Sequence, residues 1–165
     1  MKKNRSYANR GKSLENLIDK TNDHYRREGI AEVNKIPTPF KVMGMASKTM
    51  SKGFFERGYL VDYIGVVNGH AICFDTKETK VETRFDLKNI HDTQMIFMEN
   101  YYRNGATAFL LINFKSKGRY FIINYEQLQQ KWDNALQGGK KSIPFEFFEE
   151  NCKEIYVKNR ILEYL

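Results

Sequence analysis

Residues 59–77 read YLVDYIGVV-NG-HAICFDTK, and the fold turns on how this stretch is read. Two runs rich in β-branched and aromatic residues flank Asn68-Gly69, the preferred dipeptide of a two-residue type I′ hairpin turn. Counting outward from that turn pairs Val67 with His70 and, at the far ends, Asp62 with Asp75. Residues directly opposite share a face, with Cβ atoms roughly 4.5–5.5 Å apart. Lys77, two residues beyond Asp75, points the same way. The hairpin is therefore expected to gather two carboxylates and a lysine on one patch. Val61, Ile64, Val66, Ile72 and Phe74 mark both strands as well buried, where exposed acids are out of place.

Like charges facing each other destabilise a sheet, and Lys77 alone does not balance two acids. A divalent cation is the natural partner. Mg²⁺ takes hard oxygen ligands and keeps several waters, so two carboxylates plus phosphate oxygens suffice, and Mn²⁺ suits the same donors. Such an ion polarises a phosphate and acidifies water, while Lys77 orients that water or neutralises developing charge. The bare spacing Asp-x₁₂-Asp-x-Lys also describes an ordinary surface ion-pair cluster. The hairpin register is what favours the catalytic reading.

Upstream, Ser13 is read as the N-cap of a helix running to about Glu28, with Gly29 as its stop. Leu14, Leu17, Ile18, Thr21 and Tyr25 form its inner stripe, and Glu15 stands beside that stripe. Residues 31–36 alternate as a strand, closed by Pro37-Thr38-Pro39. Residues 40–58 mix Met, Phe, Gly and Lys without a clean period and read as a protruding basic hairpin or stalk. Downstream, a helix is expected over 90–103, strands over 106–114 and 119–124, and a helix over 125–136. This order implies an α/β fold, a mixed sheet flanked by helices, with the 165 residues forming one domain.

The net charge is +7, and it is unevenly placed. Residues 1–12 hold five cations and no acid, a basic arm, and residues 35–58 carry +4, which leaves the remainder at −2. Two basic blocks over a nearly neutral body fit a polyphosphate partner. No apolar run is long enough for a bilayer, and the basic N-terminus lacks a signal peptide's apolar stretch, so a cytoplasmic protein is expected. Cys73 and Cys152 are read as reduced thiols, and three scattered histidines offer no zinc site. Trp132 and the FEFF run at 145–148 are assigned to the core or a subunit contact.

With these residues in place, VDYIG at 61–65 and FDTKET at 74–79 resemble the PD-(D/E)xK nuclease core. More narrowly, the chain resembles the RecU Holliday junction resolvases of Gram-positive bacteria and their phages. YANRGKSLE at 7–15, KIPTPF at 35–40, NIHDTQ at 89–94, KWD at 131–133 and GGKKSIPFEFFEE at 138–150 extend the likeness over nearly the whole chain. The resemblance implies a nuclease core with a stalk between two strands, a homodimer, and paired nicks in a four-way junction. It implies that Asp62 and Asp75 hold the metal, that Lys77 is the catalytic lysine, and that Glu15 and Gln94 assist. It assigns DNA contacts to Arg10 and to the stalk's Lys41, Lys48, Lys52 and Arg57. Two departures stand out: Asp75 replaces the family's usual Glu, and Tyr59-Leu60-Val61 lacks a hydroxyl residue immediately before the first acid. The competing readings are a non-catalytic protein that binds junctions or modulates a recombinase, and a nuclease for other DNA.

Overall fold

The computed structural model describes residues 12–37, 40–47, 50–55 and 60–165. Helix α1 (Lys12–Arg27) forms where apolar residues recur at helical spacing, and it buries Leu14, Ile18, Thr21, Asn22 and Tyr25. Gly29, at φ 66°, supplies the left-handed residue on which the chain turns out of the helix. Ser13 is not the cap expected from the sequence. It lies inside α1 and its hydroxyl donates to Glu78 Oε1 at 3.0 Å, a tertiary acceptor that local pattern cannot reveal.

Strand β1 (Ala31–Lys35) leads to an inserted hairpin of β2 (Phe40–Ser47) and β3 (Met50–Phe55), which pair as a separate two-stranded sheet. Its register shifts twice, between Val42 and Gly44 and between Met45 and Ser47. Each such irregularity resets the alternation of side chains, which explains the missing period in the sequence. The chain then returns through β4 (Tyr63–Val67) and β5 (His70–Thr79). Asn68 and Gly69 have φ of 49° and 81°, as a type I′ turn requires, and the register runs from Val67 opposite His70 to Tyr63 opposite Phe74.

After β6 (Arg84–Asp86), helix α2 (Asp92–Arg103) carries the chain back to β7 (Thr107–Phe114), which lies parallel to β5. A parallel pair needs such a crossover, and β7 reads as an unbroken apolar run because both its faces are covered. Strand β8 (Arg119–Asn124) ends in Asn124, whose side chain accepts from Gln127 N and caps α3 (Tyr125–Leu136). β9 (Ser142–Pro144) pairs with β6, and α4 (Phe145–Asn151) precedes β10 (Lys153–Ile155), β11 (Val157–Lys158) and β12 (Ile161–Leu162). The central sheet has six strands in the order β1-β4-β5-β7-β8-β10, mixed as expected and parallel at β5/β7.

Each face of this sheet has its own core. On one, Cys73, Leu110, Ile112 and Phe121 meet Met95 and Met98 of α2, Leu128 of α3, and Phe145 and Phe148 of α4, with Trp132 packed against them. On the other, Tyr63, Phe74 and Phe109 stack across three strands at 4.9 and 4.7 Å beneath α1, and Tyr164 tilts onto Phe74 at 5.1 Å. Val66 departs from expectation and is 49% exposed. Cys73 and Cys152 are free thiols. No helix among the described residues is long and apolar enough to cross a membrane.

Gly65 is where β1 and β4 come closest. A Cβ there would meet Glu32 O at 2.4 Å and Val33 Cα at 2.8 Å, both backbone atoms that cannot swing aside. Gly65→Ala should therefore force the strands apart and destabilise the protein by about 1–3 kcal/mol. Urea denaturation checks this, and an unchanged midpoint would mean that β1 contributes little to the fold.

Candidate active site

Asp75 sits on β5, between β4 and β7, with none of its side chain exposed. Two neighbours hold it. Gln94, in the first turn of α2, donates from Nε2 to Asp75 Oδ1 at 2.7 Å. Its other end is fixed, since Gln94 Oε1 accepts from His91 N at 3.1 Å where α2 begins. Lys77, two residues along the same face and 18% exposed, brings Nζ to 2.5 Å from Asp75 Oδ2. Oδ2 is buried, and this ammonium is its partner. Burial drives the Asp75 carboxyl from its ordinary 3.8 up to about 7; Lys77 pulls it down, and the Asp62 charge pushes it further up.

Asp62 does not stand opposite Asp75 in a ladder. Strand pairing stops at Tyr63 and Phe74, and the chain bends just before β4, so that Val61 joins the core with Cys73. The Asp62 carboxylate turns onto Thr76 instead, with Oδ2 accepting from the amide at 2.9 Å and the hydroxyl at 2.7 Å. Its carbonyl accepts from Ile36 N at 2.8 Å, which ties it to the end of β1. A hydroxyl thus reaches Asp62 from across the hairpin.

Glu15 comes from the α1 side. Its Oε2 pairs with Lys35 Nζ at 2.7 Å. Burial by itself would lower the Lys35 ammonium, but Glu15, then Asp19 and Asp62, outweigh it and hold the pKa above its usual value. Lys35 is therefore a cation among three carboxylates, one of them Asp62. Asp19 is placed by Tyr63, whose hydroxyl donates to Oδ1 at 2.8 Å. The start of α1 is tied to the sheet through Glu78, which accepts from Ser13 at 3.0 Å and from Lys115 at 3.2 Å.

The structure brings Lys77 and Gln94 onto Asp75, and gathers Glu15 and Asp62 around Lys35. Sequence reading missed Lys35, Asp19, Tyr63 and Thr76. The signal for Lys35 was its place at the head of KIPTPF, at the end of a strand; the other three depend on contacts between α1, β4 and β5. Of the expected DNA contacts, Lys41 and Lys52 fall on the strands of the inserted hairpin, whereas Arg10, Lys48 and Arg57 lie outside the described residues.

Among the described residues no group of three or more acids, histidines or cysteines is spaced to hold a metal ion. Two carboxylates still fit Mg²⁺ or Mn²⁺, which complete their shells with water and phosphate oxygens. The buried Asp75 Oδ2, balanced here by the Lys77 ammonium, is a hard oxygen that suits such an ion, and the all-oxygen set excludes a thiolate-type site.

Residues 9–165 match the family described as RecU, Recombination protein U. The Holliday junction resolvase RecU of Oenococcus oeni is 38% identical over 164 residues, covering 95% of this chain and 83% of its own. Its namesake from Geobacillus sp. (strain WCH70) is 34% identical over 144 residues, covering 84% and 72%. Among solved structures, Archaeoglobus fulgidus Hjc, a Holliday junction resolvase from an archaeal hyperthermophile, matches with a TM-score of 0.52 at 8% identity. The match covers 82% of this chain and 92% of that one, a likeness of fold.

The Asp75 shift has a sign that can be tested. Between its ordinary value of 3.8 and about 7, the folded state holds a proton that the unfolded chain has lost. Stability therefore falls as pH rises through that interval and levels off above it. Melting midpoints in EDTA should show this fall in the wild type and a flatter profile in Asp75→Asn. Parallel profiles would remove Asp75 as the titrating group.

Proposed function

This chain belongs to the RecU family, recombination protein U, and from that premise we propose that it is a Holliday junction resolvase. It is an endonuclease that makes paired nicks in four-way DNA junctions by metal-dependent phosphodiester hydrolysis, in recombination and repair in the cytoplasm. The observation that carries this reading is the buried Asp75, oriented by Gln94 on Oδ1 and paired with Lys77 on Oδ2. A protein that only binds DNA has no use for such a costly buried charge.

Asp62 and Asp75 are the residues that would hold the ion. When bound, Mg²⁺, or Mn²⁺ in its place, supplies Lewis acidity toward phosphate and water. Gln94 fixes Oδ1 and leaves Oδ2 to face the site. Lys77 exchanges its pairing with Asp75 for the phosphate, where its ammonium neutralises charge as it develops. Glu15 is the auxiliary acid, and Lys35 holds it in position near Asp62. Tyr63 and Asp19 lock α1 onto β4 and so set the distance between Glu15 and the hairpin. The segment 40–58, whose sequence carries lysines 41, 48 and 52, is the stalk that enters the branch point. Two copies related by a two-fold axis bring equivalent sites to opposed strands, which a paired cut requires. A recombinase is a further partner of the same pathway.

Nicking of a mobile four-way junction, against a matched linear duplex and with or without Mg²⁺, tests the reading. Asp75→Asn and Asp62→Asn should each abolish Mg²⁺-dependent nicking while junction binding in EDTA survives. Full activity in either variant would sink the metal assignment. Lys77→Arg should not rescue the loss seen in Lys77→Ala, because a guanidinium fork does not replace a compact ammonium.

Removing residues 44–53 tests the stalk separately. Binding should fall far more for the junction than for linear duplex, with circular dichroism showing that the core stays folded. Equal losses on both DNAs would make the segment a general basic grip.

A further inference from the structure

The second half of α1 meets the turn between β11 and β12 around a depression of about 430 Å³, lined by Lys20, Asp23, Arg26, Arg27, Arg160 and Ile161. Four of these side chains are cations and one is an acid. Helix electrostatics accounts for part of the cluster, since Arg26 and Arg27 stand in the last turn, where cations complement the carbonyl end. Arg26 is also neutralised locally, pairing with Asp23 at 3.1 Å and Glu32 at 3.0 Å. Arg27 uses only Nε, on the Asp23 carbonyl at 3.3 Å.

Lys20 and Arg160 have no such explanation. Both are exposed and neither has an ion pair or side-chain hydrogen bond among the described residues. Lys20 stands two turns before the helix end. Arg160 occupies a conformation that disfavours it: Asn159 and Arg160 have φ of 51° and 65° in a two-residue turn closed by Lys158 opposite Ile161. Glycine is the usual second residue of such a turn, because a Cβ crowds the following carbonyl. An arginine kept there, unpaired and beside Lys20 and Arg27, points to a use outside the fold.

We propose that Lys20, Arg27 and Arg160 form a second phosphate-binding surface that grips a duplex arm beyond the cut. The inference rests on the resolvase reading, which supplies the DNA. Lys20 and Arg27 share one face of α1, about 120–140° around the helix from Glu15, so the cluster lies further along the axis on the flank of the face that carries Glu15. The twelve helical steps from Glu15 to Arg27 span about 18 Å. Duplex DNA advances about 3.4 Å per base pair, so an arm followed along α1 reaches the cluster about five base pairs from the site. Lys158, exposed beside the turn, extends the positive surface.

The test uses the full chain in EDTA, a four-way junction with long arms, and binding measured over a salt series. Arg160→Gly removes the guanidinium and relieves the turn, so its melting midpoint should equal or exceed the wild type's. Its slope of log K against log salt should flatten by about 0.9, and that of the triple variant Lys20→Ala, Arg27→Ala, Arg160→Gly by about three times as much. Wild-type slope and affinity in the triple variant would overturn the proposal. So would a lowered midpoint in Arg160→Gly, which would make the arginine a folding residue. Nicking by the unmutated protein is scored in parallel with Mg²⁺. Failure there would strike the resolvase reading, whereas a flattened slope on linear duplex would still support the phosphate surface.

Discussion

A carboxylate buried in the middle of a sheet must be accommodated by everything around it. Taking an ion from water into a protein interior costs several kcal/mol unless partners of the right sign and geometry are supplied. For Asp75 they come from two directions: Lys77 from its own strand and Gln94 from the first turn of α2. The parallel pairing of β5 and β7 puts α2 there, since the crossover between them has to pass over that face of the sheet. These partners do not offset the whole cost of burial, and the carboxyl keeps a raised pKa. That residue of unmet interaction distinguishes a site from a structural ion pair.

The opposite face of the sheet contributes by rigidity. The stack of Tyr63, Phe74 and Phe109, with Tyr164 against it, fixes β4, β5 and β7 under α1. Thr21, Asn22 and Tyr25 of α1 then bond Leu162 N, the Tyr164 hydroxyl and Tyr164 N, so the last strand clamps the helix. The Tyr63 hydroxyl does double service, anchoring Asp19 while its ring packs. Glu15 is thereby delivered to the site from a helix whose own core lies on the other side of the sheet from Gln94. The candidate site straddles the end of the hairpin and draws on both layers.

Much of this was legible because it is local. Asn68-Gly69 dictated the turn, the turn dictated the register, and the register put Asp75 and Lys77 on one face. Helical spacing and the turn residues located α1, α2 and α3 to within a few residues, and the alternation and apolar runs located β1, β5, β7 and β8. Residues 40–58 were recognised as a hairpin, yet their strands could not be drawn, since two register shifts erase the period that reveals a strand.

What the sequence by itself determined, then, was the hairpin, the order of elements and the residue types available for chemistry, all set by dihedral preference and side-chain periodicity. Tertiary structure decided where the charges point. A bend before β4 carried Asp62 off the ladder and onto Thr76, against a count that assumed straight strands. Ser13 left its capping role for Glu78, sixty-five residues away in the chain. Lys35 gained its place among Glu15, Asp19 and Asp62 only when α1, β1 and β4 closed on one another. Hydrogen bonds and ion pairs of this kind join residues distant in sequence, and no local rule of spacing encodes which partner a charged side chain meets once the layers pack.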